Sequence, residues 1–177
     1  FVADYGGAVE DLRRPMPERP YRQTRLGTLF HAWVEQRSGL VGSGVGLDDD
    51  ALWDDDEAGS SAADAAELQR LRECFERSEW ASLRPIEVET EIDYVTRRLD
   101  GRDHVVICKL DAVYRHGDRY EIVDWKTGRP PTTEAERRSR MVQLELYREA
   151  YHAKHGIDLD LIDVALFYVG DELVIRG

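Results

Sequence analysis

The sequence predicts an α/β domain, a mixed central sheet flanked by helices. Three observations predict it. Leu26, Leu29, Phe30, Trp33 and Val34 recur with the period of a helix. "IEVETEIDYV" (86–95) switches to the two-residue alternation of a strand. Beyond it, apolar runs and a capping signature add two strands, a helix and a last strand, in that order.

Residues 1–22 are rich in Pro and Arg and read as an extended lead-in. A helix spans Gln23–Ser38, buried along its apolar stripe. Residues 39–61 combine Gly, Ser and Asp and read as a loop or insertion. The "GSGVG" within them lacks the GxxxxGK[ST] frame of a phosphate loop. A second helix is expected over Ala62–Glu79. The alternation of 86–95 puts Ile86, Val88, Thr90, Ile92 and Tyr94 on one side and Glu87, Glu89, Glu91 and Asp93 on the other. Strands are expected over 104–115 and 119–125. Thr133 followed by Glu136 forms a capping box that opens a helix to His155, and Gly156 closes it. "IDVALFYV" (162–169) is a buried strand, and "ELVI" (172–175) returns beside it.

The 177 residues suit one domain with a substantial core. No apolar run approaches the ~20 residues of a membrane span. The chain begins at Phe1 without a signal-peptide pattern, which suggests a domain excised from a longer protein. Cys74 and Cys108 form no CxxC pair and are too few for an iron–sulfur cluster, so a reducing, cytoplasmic setting is expected. The net charge of −12 argues at first against a nucleic-acid partner. The acid is uneven, however: "DDDALWDDDE" (48–57) carries seven of the 36 acidic residues, while "RRSR" (137–140) and the arginines of residues 13–25 are local basic tracts. Global charge does not exclude a local phosphate track.

In "IVDWKTG" (122–128), Asp124 and Lys126 share one face of a strand. The preceding turn, "HGDR", has Gly117 first and suits a two-residue type II′ hairpin. In that register His116 faces Arg119. By the same count Asp111 faces Asp124, and Lys109 faces Lys126. Opposed side chains lie about 4.5–5.5 Å apart, and like charges there repel. Two readings stay open on the hairpin alone. One is a solvent-facing ladder of charges; the other is a carboxylate pair around a divalent cation, since Mg²⁺ and Mn²⁺ prefer oxygen ligands.

The motifs together resemble the RecB-like branch of the PD-(D/E)XK nuclease superfamily. "GTLFH" (27–31) resembles its helical G-x-x-x-H element, "CKLDAVY" (108–114) the strand of the first metal carboxylate, "IVDWKTG" its D-x-K element, and "QLELY" (143–147) its Q-x-x-x-Y helix. They occur in the family's order on the expected helix, strand, strand and helix. Cys108 stands where that family often has Gly; it projects away from Asp111 and suits core packing.

The resemblance implies a restriction-endonuclease-like core and a Mg²⁺- or Mn²⁺-dependent deoxyribonuclease. The expected activity is that of an exonuclease on single-stranded DNA fed by a helicase motor in the same parent chain or complex, in DNA repair or recombination. His31, Asp111, Asp124 and the backbone carbonyl of Trp125 become metal ligands, with Glu91 added from the acidic strand face. Asp111, Asp124, Lys126, Gln143 and Tyr147 form the catalytic set. Lys126 suits electrostatic stabilisation better than base chemistry, because adjacent carboxylates keep it charged. Gln143 would bond a phosphate or Lys126. Tyr147 would stack on a base or hold the strand, and Arg137, Arg138 and Arg140 would contact phosphates. Gly27 would let the helix approach the sheet closely.

Two rivals remain. A non-enzymatic DNA-binding scaffold could keep the fold, although no expected ligand is missing. An interaction module would instead use "DDDALWDDDE" and leave the hairpin structural. The "KTG" of penicillin-binding enzymes is set aside, because no serine is followed three places later by Lys.

Overall fold

The structure is a computed structural model, and it describes residues 22–40, 58–97 and 101–177. The lead-in and "DDDALWDDDE" therefore lie outside the described residues, apart from Arg22. Helix α1 spans Arg22–Ser38 and α2 Ala58–Glu76. Strands β1 (Glu87–Thr96), β2 (His104–His116) and β3 (Arg119–Lys126) follow. Helix α3 (Glu134–His155), β4 (Ile162–Tyr168) and β5 (Leu173–Arg176) complete the order. The second helix starts within the expected insertion and ends three residues early. Among the described residues no helix is long and apolar enough to cross a membrane.

The five strands lie in the order β1-β2-β3-β4-β5. Only β3 and β4 run parallel, joined by α3 as the crossover, so the sheet is mixed as expected. Helix α3 is bounded as its sequence requires. Thr133 accepts from the Glu136 N–H at 3.2 Å, the Glu136 carboxylate accepts from the Thr133 N–H at 3.0 Å, and Gly156 takes φ 68°.

Each face of the sheet buries its own core. On one side Phe30 of α1, Phe75 of α2 and Trp80 of the turn after it pack against Trp125 and Phe167 of the sheet. On the other, Leu144, Tyr147 and Tyr151 of α3 cover Ile92, Cys108, Leu110, Ile122 and Leu166. Cys108 is fully buried there, as its orientation predicts.

The simple alternation read for 86–95 does not survive. Val88 packs toward α1 and α2, whereas Ile92 and Tyr94 pack toward α3. Strand β2 makes the same exchange: Leu110 and Val113 both face α3, while Ala112 faces α1 and α2. Between the Thr90↔Leu110 and Val88↔Ala112 pairs lie Glu89 and Asp111. Glu89 has φ 48°, a left-handed conformation costing a side-chain-bearing residue roughly 1–2 kcal/mol. That residue reverses the faces, and the distal half of the hairpin leaves Val95, Val105 and Ile107 exposed.

The β2–β3 turn keeps the expected register from His116↔Arg119 to Ala112↔Val123. Gly117 has φ 65°, and Asp118 is not in the left-handed region, consistent with a type II′ turn. The ladder stops before Asp111 and Lys109. The expected rungs Asp111–Asp124 and Lys109–Lys126 are not formed, because β2 bends away at the face exchange.

The Gly156 cap gives a direct test. Gly156→Ala should lower stability by about 1 kcal/mol, since alanine must adopt the left-handed conformation. Urea denaturation followed by circular dichroism measures it, and the slope with urea should not change.

Candidate active site

One cleft runs beside the face exchange. Its lining includes Gly27, His31 and Glu35 of α1, Glu89 of β1, Lys109 and Asp111 of β2, and Asp124 and Lys126 of β3. Helix α1 comes close because Gly27 has no side chain: a Cβ there would sit 3.2 Å from the Thr127 hydroxyl oxygen. This close approach agrees with the expectation for Gly27 and brings His31, one turn later, over the sheet.

His31 is held at both ring nitrogens. Nε2 lies 3.1 Å from the Trp125 carbonyl oxygen, a group that only accepts, so Nε2 carries a proton. Nδ1 faces the carboxylates of Asp111 at 3.3 Å and Glu89 at 3.7 Å. Burial disfavours charge on the ring, but the two carboxylates outweigh it and raise the His31 pKa from 6.5 to about 10. Asp111 Oδ2 accepts from the Trp125 N–H at 2.7 Å, which ties the bend of β2 to the end of β3.

His31, Glu89 and Asp111 offer ligand atoms that all lie within 4.8 Å of one another. One imidazole nitrogen and two carboxylates suit a divalent cation such as Mg²⁺ or Mn²⁺. The β1 acid in this trio is Glu89. Glu91, the expected one, is exposed and does not line the cleft, because the reversal at Glu89 turns the following residues away. The Trp125 carbonyl, the other expected ligand, accepts from His31 Nε2 and so orients the imidazole.

Asp124 lines the same cleft but stands outside that trio. It is 3 % exposed. Its Oδ1 accepts from the Tyr147 hydroxyl at 3.1 Å, and its Oδ2 forms a 2.7 Å ion pair with Lys126 Nζ. That oxygen has no further hydrogen-bond donor. Burial raises the Asp124 pKa and the nearby Asp111 charge adds to the rise, while Lys126 opposes it. For Lys126 burial favours the neutral amine, but Asp124 outweighs burial and raises its pKa. The ammonium is therefore retained at neutral pH, in keeping with the electrostatic role expected from the sequence.

Gln143 and Tyr147 meet at helical spacing. Gln143 Nε2 donates to the Tyr147 hydroxyl at 2.7 Å. Tyr147 is buried, with its ring in the core, so it is closed to stacking on a base and instead holds Asp124. Gln143 makes no hydrogen bond to Lys126; Arg140 approaches its Oε1 at 3.5 Å. Arg137 and Arg138 are exposed on the first turns of α3, and Arg138 pairs with Glu134.

The comparisons with known proteins agree with this geometry. The family model described as the PD-(D/E)XK nuclease superfamily matches residues 3–174. The chain belongs to the PD-(D/E)XK nuclease superfamily. No curated protein matches it. Superfamily membership makes this a metal-dependent nuclease fold with a nucleic-acid substrate, and the mixed sheet with three helices is its restriction-endonuclease-like core.

Two acidic lining residues of this nuclease fold lie outside the sequence motifs. Glu35 is one helical turn beyond His31. Burial and the adjacent Glu89 raise its pKa from 4.5 to about 7. Its i, i+4 spacing from His31 was the available signal. Glu89 had the acidic strand face as its signal, but the choice between Glu89 and Glu91 depended on a backbone reversal that alternation does not reveal.

Two measurements probe this site. Mn²⁺ affinity should rise by up to about tenfold per pH unit between pH 6 and 8, because His31 must release a proton to serve as a ligand. Calorimetry in buffers of different ionisation enthalpy should detect that proton. Tyr147→Phe leaves Asp124 Oδ1 without its donor and should cost about 1–3 kcal/mol in urea denaturation, with the sheet intact by circular dichroism.

Proposed function

We propose that the chain is a RecB-like, Mg²⁺- or Mn²⁺-dependent deoxyribonuclease that hydrolyses single-stranded DNA as an exonuclease in DNA repair or recombination. We further propose that it works as one domain of a larger helicase-like protein or complex, whose motor feeds the strand. The observation that carries the reading is the convergence of His31, Glu89 and Asp111 beside the buried Asp124–Lys126 pair. Buried Cys74 and Cys108, both free thiols, suit a reducing compartment such as the cytoplasm.

His31 Nδ1, Asp111 and Glu89 are the groups to hold the cation, and Asp124 contributes a further carboxylate from the neighbouring strand. The bound cation supplies Lewis-acid activation of a phosphate and of the water that attacks it. The Trp125 carbonyl fixes the imidazole tautomer with Nε2 protonated, leaving Nδ1 for the cation once its proton is lost. Lys126 keeps its positive charge beside the attacked phosphate and offsets charge on the phosphoryl oxygens. Tyr147 and Gln143 act behind Asp124, fixing the direction of its carboxylate toward the cation it would help to hold. Arg140, Arg137 and Arg138 lie along the first turns of α3 as a phosphate-contacting edge.

Substitutions at Asp124, Glu89 and Glu91 test this assignment. Asp124→Asn keeps an acceptor for Tyr147 and removes the charge. Cleavage of a labelled single-stranded oligonucleotide in Mn²⁺ should fall on the order of 100-fold or more, with the circular dichroism spectrum unchanged. Glu89→Gln should cost at least about tenfold in Mn²⁺ affinity. Glu91→Gln should cost nothing in either assay. Equal cleavage by Asp124→Asn and the parent would sink the site assignment.

A further inference from the structure

Lys109 lines the cleft and lies within "CKLDAVY", but neither the metal trio nor the family resemblance gives it a role. It sits two residues before Asp111 on β2, as Lys126 sits two residues after Asp124 on β3. The two lysines therefore flank the carboxylates from opposite strands, and both line the cleft. Their settings differ. Lys126 has a side chain 27 % exposed and is pinned to Asp124, which is almost wholly buried. Lys109 has a side chain 63 % exposed and pairs with Glu89 at the cleft surface. Its stem emerges on the face turned outward by the reversal at Glu89, where neighbouring residues 105 and 107 are exposed.

Lys109 pairs with Glu89 while most of its side chain stays in water, which leaves the ammonium within reach of an anion entering the cleft. We propose that Lys109 is a substrate-positioning residue that binds a backbone phosphate next to the one being cleaved. It is paired with Glu89 in the free protein and released to the phosphate when a divalent cation takes over that carboxylate. The exchange is chemically balanced. Glu89 exchanges a monovalent partner for a divalent one, and the freed ammonium meets the incoming polyanion. The long, flexible lysine stem allows this movement without a change in the sheet. In a chain of net charge −12, with four carboxylates in its cleft, the exchange would add a further cation at the cleft when the metal is bound. This inference rests on the nuclease reading above and adds a residue to it.

The test uses Lys109→Met and Lys109→Arg in the full chain, with a fluorescein-labelled single-stranded oligonucleotide. Binding is read by anisotropy in Ca²⁺ and in EDTA, and cleavage in Mn²⁺. Lys109→Met should weaken binding in Ca²⁺ and raise KM by about tenfold, the expected loss for one charge-assisted contact, with kcat nearly unchanged. The slope of log binding constant against log salt should become shallower by about 0.7, the value for one phosphate on a single strand. In EDTA the variant and parent should bind alike. Mn²⁺ affinity should be unchanged or tighter, because a competing cation has gone from Glu89. Lys109→Arg should restore most of the binding. An unchanged KM and salt slope in Lys109→Met, with a parent that cleaves in Mn²⁺, would overturn the Lys109 role alone. A loss of Mn²⁺ affinity with no change in oligonucleotide binding would overturn it as well, reducing Lys109 to support for Glu89. A parent that neither binds nor cleaves DNA in any divalent metal would remove the nuclease reading and the proposal together.

Discussion

Four carboxylates share one cleft, and their mutual repulsion is the constraint around which this domain is arranged. Left to solvent, Glu35, Glu89, Asp111 and Asp124 would separate. The fold holds them together by giving Asp111, Glu89 and Asp124 partners, while Glu35 is left against Glu89. Asp111 accepts from the Trp125 N–H and faces His31. Glu89 pairs with Lys109, and the combined pull of His31 and Lys109 against the effect of burial lowers its pKa from 4.5 to about 2. Asp124 is held between Tyr147 and Lys126. A cluster of this kind concentrates negative potential in a small volume, which is what a divalent cation requires.

The two cores make that concentration possible. The aromatic layer of α1 and α2 on one face and the α3 layer on the other leave the sheet little freedom to flatten. Against this rigid background a single left-handed residue, Glu89, turns β1 over and brings its carboxylate beside Asp111 and His31. Backbone strain of this sort is found where surrounding packing over-determines the conformation and the site benefits. Gly27 does the complementary work on the helix side, where the absence of a side chain closes the distance to Thr127.

Charge in the cleft differs in burial. Asp124 and Asp111 are the most buried, and Asp124 is linked through Tyr147 to Gln143 on α3. His31, Glu89 and Lys126 are partly exposed, and Lys109 is the most exposed of these groups. Fixed groups suit chemistry, whose donors must not reorganise during reaction, while mobile ones suit capture of a polymer. The same division explains why Tyr147 is internal: an aromatic ring buried against the sheet gives its hydroxyl a fixed direction that a ring stacked on a nucleobase would lose.

The sequence by itself determined the order and type of the elements, because local signals set them. The helical stripe at Leu26–Val34, the capping box at Thr133 and Glu136, the Gly156 cap and the Gly117 hairpin each act within a few residues. The resemblance to the nuclease family grouped His31, Asp111, Asp124, Lys126, Gln143 and Tyr147, whose motifs are written in the chain. Tertiary structure alone decided which acid completes the trio, because Glu89 and Glu91 are equivalent under strict alternation and only the φ of 48° at Glu89 separates them. It alone turned Tyr147 inward, committed the Trp125 carbonyl to His31, and unpaired Lys109 from Lys126, since each depends on how an α1 or α3 side chain meets a bent strand. Local propensity acts along the chain, whereas repulsion among carboxylates acts across it, and only the assembled sheet determines how that repulsion is resolved.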